Sequence, residues 1–291
     1  MSTGPASAPR VVLLTGTGSA KGIGHATALA LAAAGHVVYA TERDPAAAAA
    51  LDAFAGAGRI EVRELDLRDR PAMAPLLEEI VAAEGRLDTL VNNAGYGVIG
   101  GVEQVDLAMA RESFQTNVWG TMALVQEALP LLRRQGHGHV VLVSSCFVAG
   151  LPVMGMGYYV AAKAALEAIL HSLAVEAAPH GIRVSCWQPG PVMTELERVW
   201  GDRVPPGGDP RPTLSDELYA WIGATGPTPQ QPAEAAAALA ALIASEDAPL
   251  AQGSSEASRA YAAAALRDPS RQAELAALLG ALRGADRGPL R

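Results

Sequence analysis

The chain has 291 residues, half of them apolar, with few aromatics and a formal net charge of −8. That length suits one large domain or two small ones, with ample size for a well-buried core. The acidic balance, with no basic cluster denser than Arg133-Arg134, argues against a nucleic-acid surface, and no apolar run approaches the ~18 residues that a membrane-crossing helix requires.

Residues 1–9 are small and polar, without the basic region and apolar stretch of a signal peptide, and read as a flexible tail. Cys146 and Cys186 do not make a disulfide framework and fit a reduced cytoplasm. His137 and His139, in a Gly-His-Gly-His turn, read as a solvated loop rather than a metal site, so no metal is expected.

From residue 11 onward, short apolar runs alternate with longer helical patterns, which predicts a parallel sheet with crossover helices. Strand Val11–Thr15 leads into the glycine turn Thr17-Gly18-Ser19-Ala20-Lys21-Gly22-Ile23-Gly24 and a helix over Ile23–Ala34. This is the order that a dinucleotide site requires. Glycines let the backbone turn sharply against a pyrophosphate, whose charge is met by the first N–H groups of the helix. Both Thr15-Gly16 and Thr17-Gly18 are able to open the turn.

Strand Val37–Thr41 then ends at Glu42, eighteen residues after Gly24, where an acidic residue is expected to hold the adenosine ribose. Its carboxylate accepts from ribose hydroxyls and repels a 2′-phosphate, whereas Lys21 and Arg43 would attract one. The balance leans to NAD over NADP. There follow a helix over Pro45–Ala55, strand Ile60–Leu65, helix Arg70–Glu84, strand Thr89–Asn92 and helix Ala108–Arg134. Strand His139–Ser144, helix Tyr159–Ala178 and strand Arg183–Trp187 complete the alternation. Strands apolar on both faces are those of a buried parallel sheet. Right-handed crossovers then give an α/β, doubly wound, Rossmann-like fold with its ligand crevice beyond the carboxyl ends of the strands.

After Thr194 the pattern changes. Residues 201–232 are rich in proline and glycine but carry Leu214, Leu218, Tyr219, Trp221 and Ile222, so 194–232 reads as a substrate lid. A helix is expected over Pro232–Ser245 and a helical tail from Ser254 to Leu282, within a C-terminal extension over 254–291. Residues 10–291 read as one domain.

Lysine occurs twice in the chain, at Lys21 and Lys163, against twenty arginines. Both stand in segments suited to nicotinamide chemistry, where a compact ammonium serves differently from a planar guanidinium. Tyr159 and Lys163 are four apart and share one helix face. A phenol near its ordinary pKa is a poor base at neutral pH, and a nearby ammonium is expected to lower that value.

Taken in order, several motifs resemble those of the short-chain dehydrogenases/reductases in their shorter form. They are Thr17-Gly18-x-x-x-Gly22-Ile23-Gly24, Asp66 after the third strand, Asn92-Asn93-Ala94-Gly95 after the fourth, Asn117, Ser145, Tyr159-x-x-x-Lys163 and Pro189-Gly190-x-x-x-Thr194. The resemblance spans about residues 11–195. It implies an NAD(P)-dependent oxidoreductase with Tyr159 as acid/base and Lys163 tuning it and binding the nicotinamide ribose. Ser145 would hydrogen-bond the substrate oxygen, and Asn117 would hold a water in the proton path. The cofactor would be lined by Gly16, Gly18, Lys21, Gly22, Ile23 and Gly24, with Glu42 and Arg43 at the ribose and Asp66 and Leu67 at the adenine. Asn93, Ala94 and Gly95 would follow, Asn92 or Asn93 also tying strands together, and Pro189, Gly190, Val192 and Thr194 would pass the nicotinamide.

The serine position needs a choice of register. Counting back thirteen from Tyr159, the family's usual spacing, lands on Cys146. Reading the strand forward lands on Ser145. The strand register is preferred, because a strand cannot absorb an added residue without flipping its faces.

Cys146, Phe147, Pro152, Val153, Met154, Met156, Leu196, Trp200, Tyr219 and Trp221 form the expected substrate wall, and its apolar character favours a hydrophobic ketone or secondary alcohol, steroid-, polyketide- or aromatic-like. Val37–Asp44 and the long C-terminal extension look most like the 17β-hydroxysteroid and retinol dehydrogenase branch. The resemblance also implies a homodimer or homotetramer joined through the helices at 108–134 and 159–178. Two other classes share parts of the pattern: a nucleotide-sensing regulator without chemistry, and an epimerase or dehydratase of sugar nucleotides. Turnover of simple ketones separates the first reading from both.

Overall fold

The valine- and leucine-rich runs become strands of one parallel sheet in the computed structural model, which describes residues 8–98, 100–103, 105–149, 153, 155–194 and 229–267. In chain order the elements are β1 (Val11–Thr15), α1 (Ile23–Ala33), β2 (Val37–Glu42), β3 (Arg59–Glu64), α2 (Met73–Glu84), β4 (Thr89–Asn92), α3 (Leu107–Phe114) and α4 (Thr121–Gln135). They continue with β5 (Gly138–Val143), α5 (Gly157–Ala177), β6 (Ile182–Gln188), α6 (Pro232–Ala244), β7 (Ala251–Gly253) and α7 (Glu256–Arg267). The strands lie in the order β3-β2-β1-β4-β5-β6-β7. The order reverses between β1 and β4, so the crevice of a Rossmann-like sheet opens between their carboxyl ends.

Two cores form because side chains alternate across the sheet. On one side Leu13, Leu90, Val140 and Val184 pack with Ile80, Leu124, Leu166 and Leu170 from α2, α4 and α5. On the other, Val12, Leu14, Val91, Val141 and Trp187 pack with Leu31 of α1 and Leu239 and Ile243 of α6. The register that aligns these residues pairs Val12 with Val38 and Thr89, and Val140 with Leu90 and Val184. No helix among the described residues is long and apolar enough to cross a membrane.

The elements differ from the sequence expectation where packing is one-sided or a turn is over-wound. β3 is not apolar on both faces. It is the sheet's edge, and its Arg59 and Arg63 reach Glu84 and Glu79 on α2. Residues Pro45–Ala53 wind as a 3₁₀ helix, capped by the Asp44 side chain, with Ala48 and Leu51 buried three apart to match three residues per turn. The helix expected over 108–134 is interrupted by a π-helical turn at Gln115–Gly120. His139 is not in a solvated loop: it lies inside β5, fully buried, its Nε2 3.0 Å from Ser185 Oγ. Burial holds its pKa down at about 3, so the ring is neutral. β7 was not expected, since three residues are too few to carry a period.

Candidate active site

The crevice is built where β1 and β4 end. Gly16 takes φ +75°, and a Cβ there would stand 2.6 Å from Ala94 Cα. The reversal therefore falls at Thr15-Gly16, the first of the two possible openings. Thr15 Oγ1 accepts from the backbone N–H groups of Asn93 at 3.1 Å and Ala94 at 3.0 Å. In return, Asn93 Nδ2 donates to the carbonyls of Thr15 and Gly16, both at 2.8 Å. Asn92 ties the next pair of strands, donating to the Val141 carbonyl at 3.2 Å. These bonds stitch the glycine turn to the Asn93–Gly95 segment.

A cavity of about 450 Å³ follows this seam. Its wall includes Gly16, Gly18, Gly22, Ile23, Gly24, Glu42, Arg43, Leu67, Asn93, Ala94 and Gly95, and continues to Tyr159, Lys163, Pro189 and Thr194. Glu42 stands at the end of β2 with its carboxylate across the turn. Oε2 accepts from the Gly18 N–H at 3.0 Å and Oε1 from the Arg43 N–H at 3.0 Å.

Several predicted cofactor residues stand off the wall. Lys21 is exposed and does not line the cavity. The Asp66 carboxylate is turned to Arg68, which clasps both of its oxygens and holds its pKa below the usual carboxylate range, Arg43 adding a weaker pull. Leu65 and Leu67 line the cavity in its place. The Gly190 N–H donates to Ser254 Oγ at 3.2 Å, and Val192 bridges to Gln230. Wall residues not among the expected site residues are Thr15, Thr41, Leu65, Ser144, Val143, Ser19, Ala47, Tyr96 and Thr116. The first five sit at or just beyond the carboxyl ends of strands, where the crevice rule could have found them. Tyr96 and Thr116 come from a loop and the π turn and carry no such signal.

Tyr159 and Lys163, one turn apart on α5, stand at the far end of the cavity, and Ser145, just after β5, lies behind Tyr159 and off the cavity wall. Ser145 Oγ accepts from the Phe147 N–H at 3.3 Å and is hydrogen-bonded to the Tyr159 phenol. Cys146 instead sinks into an apolar cluster with Phe147 and Met156, and burial pushes its thiol up to about 12. The Ser145 hydroxyl thus bonds the Tyr159 phenol, whereas Cys146 only packs against the ring. Tyr158 points elsewhere, donating to the Val102 carbonyl at 3.4 Å.

The expected lowering of the Tyr159 pKa by Lys163 is not what this geometry gives. Burial pushes Tyr159 up to about 12, and the Ser145 hydrogen bond pulls the other way. Lys163 Nζ donates to the Val143 carbonyl at 2.8 Å, and burial brings its own pKa down to about 8, with Glu167 opposing. The Asn117 side chain is engaged within the protein. The π turn aims its amide at the backbone of Tyr96, accepting from N–H at 3.0 Å and donating to the carbonyl at 2.6 Å, with Ser113 Oγ at 3.1 Å. The side chain is a strut, committed to protein partners.

Of the expected substrate wall, Phe147 is buried and Val153 packs beside it. Tyr261 of α7 joins them unforeseen, edge-on to Phe147 with ring centroids 5.7 Å apart. Pro152, Met154, Leu196, Trp200, Tyr219 and Trp221 lie outside the described residues, as do 195–228 of the expected lid and 268–291 of the extension.

Against known proteins, a family model described as short chain dehydrogenase matches residues 10–204. Human retinol dehydrogenase 8 is 39% identical over 199 residues, which are 66% of this chain and 62% of that protein. Human 17-beta-hydroxysteroid dehydrogenase type 1 is 38% identical over 203 residues, 66% of this chain and 60% of its own length. The chain thus spans less than two thirds of either relative. A solved short-chain dehydrogenase from Streptomyces avermitilis is 32% identical, with a TM-score of 0.73 over 98% of this chain and all of that one. Two further solved chains are each 25% identical. A short-chain dehydrogenase from Mycobacterium paratuberculosis bound to NAD has a TM-score of 0.68, covering 87% of this chain and 98% of that one. A metagenomic short-chain oxidoreductase in complex with NADP has a TM-score of 0.63, covering 84% of this chain and 94% of that one.

Proposed function

The chain belongs to the short-chain dehydrogenase family, in the branch of retinol dehydrogenase 8 and 17-beta-hydroxysteroid dehydrogenase type 1, and from that premise we propose that it transfers a hydride between NAD(P) and a hydrophobic ketone or secondary alcohol with Tyr159 as acid/base. One observation carries this reading: a single crevice joins the glycine turn to Tyr159 and Lys163. The residues present fit a dinucleotide. A Cβ at Gly16 or Gly24 would collide with the seam that shapes the turn, so both loops pack backbone to backbone and leave the crevice open. When bound, NAD(P) supplies the hydride donor or acceptor.

This chain's own residues do the rest. Tyr159, a phenol at neutral pH, gives its proton to a carbonyl oxygen; in the other direction, as the phenolate, it takes one from an alcohol. Ser145, hydrogen-bonded to the phenol, positions the same oxygen. Lys163, anchored on the Val143 carbonyl, carries its positive charge one helix turn from Tyr159. Val153, half-buried against Phe147, offers apolar surface for the substrate. Ser145→Ala is expected to lower kcat by about 10-fold or more, while Cys146→Ala stays near wild type. Steady-state ketone reduction by both variants decides it, and the reverse ranking would move the site to Cys146.

Glu42 favours NAD, because its carboxylate already occupies the end of β2 where a 2′-phosphate would come. Arg43 lines the same wall and is the residue that would oppose it. The expected outcome for Glu42→Ala is a fall in the ratio of NADH to NADPH affinity by about 10-fold, one charge–charge contact's worth. Fluorescence titration with each cofactor measures it, and an unchanged ratio would remove Glu42 from cofactor choice. Failure of the wild type to bind either cofactor would overturn the oxidoreductase reading itself. A homodimer through the helices at 108–134 and 159–178 is part of the proposal, supported by Trp119 and Val175, which stand 57% and 76% exposed there.

A further inference from the structure

On α5, one turn beyond Lys163, stands a second buried charge. Lys163 is 5% exposed and Glu167 is 7% exposed. An acid in a helix that packs into the apolar core beside Leu166 and Leu170 calls for a reason, since burying a carboxylate is costly unless it is paired. The direct partner of Glu167 is neutral. Gln188 Nε2 donates to both of its oxygens, each at 3.0 Å. Gln188 is the last residue of β6, paired in register with Gly253 of β7, and its carbonyl accepts from the Ser254 N–H at 3.2 Å. The next residue, Pro189, is on the cavity wall.

We propose that Glu167 is the buried counter-charge that keeps Lys163 an ammonium, and that the Gln188 amide, fixed by the β6–β7 pairing, holds this carboxylate in place. Both are positioning residues: they act on the reacting atoms through Lys163. For its use in hydride transfer the inference rests on the oxidoreductase reading above, but its test does not.

The groups around Lys163 leave Glu167 as the opposing charge among the described residues. From β5 it meets the Val143 carbonyl, and from the loop after β4 it meets Gly95 with the Asn117 amide alongside, none of them ionisable. Tyr159, one turn earlier on α5, is held as a neutral phenol by burial, and Cys146 beside it as a neutral thiol. From β6 comes Cys186, whose thiol is pushed up to about 12 by burial first and by Glu167 second. Burial alone drives the Lys163 ammonium toward neutrality, and Glu167 is the group that resists it.

The composition makes the test direct. With two lysines in the chain, protein labelled with carbon-13 at lysine Cε gives two signals, and Lys21→Arg assigns them. In Glu167→Gln the midpoint of the Lys163 signal is expected to fall by about one pH unit or more. Glu167→Asp, which keeps the charge, should restore most of the shift. Gln188→Leu, which strips the carboxylate of its donor, should move the midpoint in the same direction by a smaller amount. Should Glu167→Gln not fold, Gln188→Leu carries the test. A Lys163 midpoint unchanged to within about 0.3 unit in either folded variant overturns the proposal. The titration reads lysine charge in the free protein, so its failure is separate from any failure to turn over a ketone.

Discussion

Tyr159→Phe is expected to lower kcat for ketone reduction by about 10²- to 10⁴-fold, the range that a positioned proton donor contributes. Binding of the reduced cofactor should change little, because the ring is kept and the removed hydroxyl is bonded to Ser145 rather than to the glycine turn. The phenyl ring still fills its place beside Cys146 and Phe147, so the melting temperature should stay close to wild type. Single-turnover reduction with NADH or NADPH at saturating ketone measures the effect. Activity retained to within about fivefold would mean that another group supplies the proton.

The pH dependence carries the same assignment. The Tyr159 phenol is raised to about 12 by burial, so at neutral pH it is protonated and ready to donate. Reduction should therefore be flat around neutrality and fall on the alkaline side, as Lys163 loses its proton through about 8 and Tyr159 through its higher value. Alcohol oxidation needs the phenolate, so its rate should climb with pH over the same range. The free protein is thus better poised for reduction. Because the two groups lie one turn apart, the limb of such a profile belongs to the pair rather than to either residue.

The second large effect is at Gly24. A Cβ there would stand 2.2 Å from the Gly16 carbonyl oxygen and 2.5 Å from Asn93 Nδ2. Neither is the free end of a flexible side chain. The carbonyl belongs to the reversal at Gly16, and the Asn93 amide is spent on two carbonyls at 2.8 Å. Gly24→Ala adds a methyl where helix propensity alone would gain about 1 kcal/mol. The overpacking costs about 1–3 kcal/mol and is expected to win. The seam must open, so the variant should melt at lower temperature and bind NADH at least about 10-fold more weakly, since the turn that shapes the crevice is displaced. Thermal denaturation and a fluorescence titration check both. A variant that is more stable and binds normally would show the turn to be looser than the close contacts imply.

How far the sequence carried depended on burial. β1 and β4 have the predicted bounds to the residue, because central parallel strands are apolar on both faces and punctuated by turns. β3 and the central β5 each slipped by one residue, and β7 was missed because a three-residue strand carries little of that pattern. The π turn at Gln115–Gly120 was invisible for another reason. One extra residue in a turn hardly alters a helical period, yet it decides that the Asn117 amide faces Tyr96.

The motif order was legible because each motif is local: strand, glycine turn, acid at the next strand's end, and a tyrosine and lysine on one helix face. Propensity and spacing act over a few residues and are written directly in the chain. What needed the fold were contacts between segments far apart in sequence. Gly16 rather than Gly18 makes the reversal because Ala94 presses on it from the next loop. Asp66 turns to Arg68 and away from the crevice, Lys163 is tied to Val143 twenty residues earlier, and Glu167 is held by Gln188 twenty-one residues later. Charge and pKa depend on burial and on such partners, and burial exists only once the sheet has closed over them.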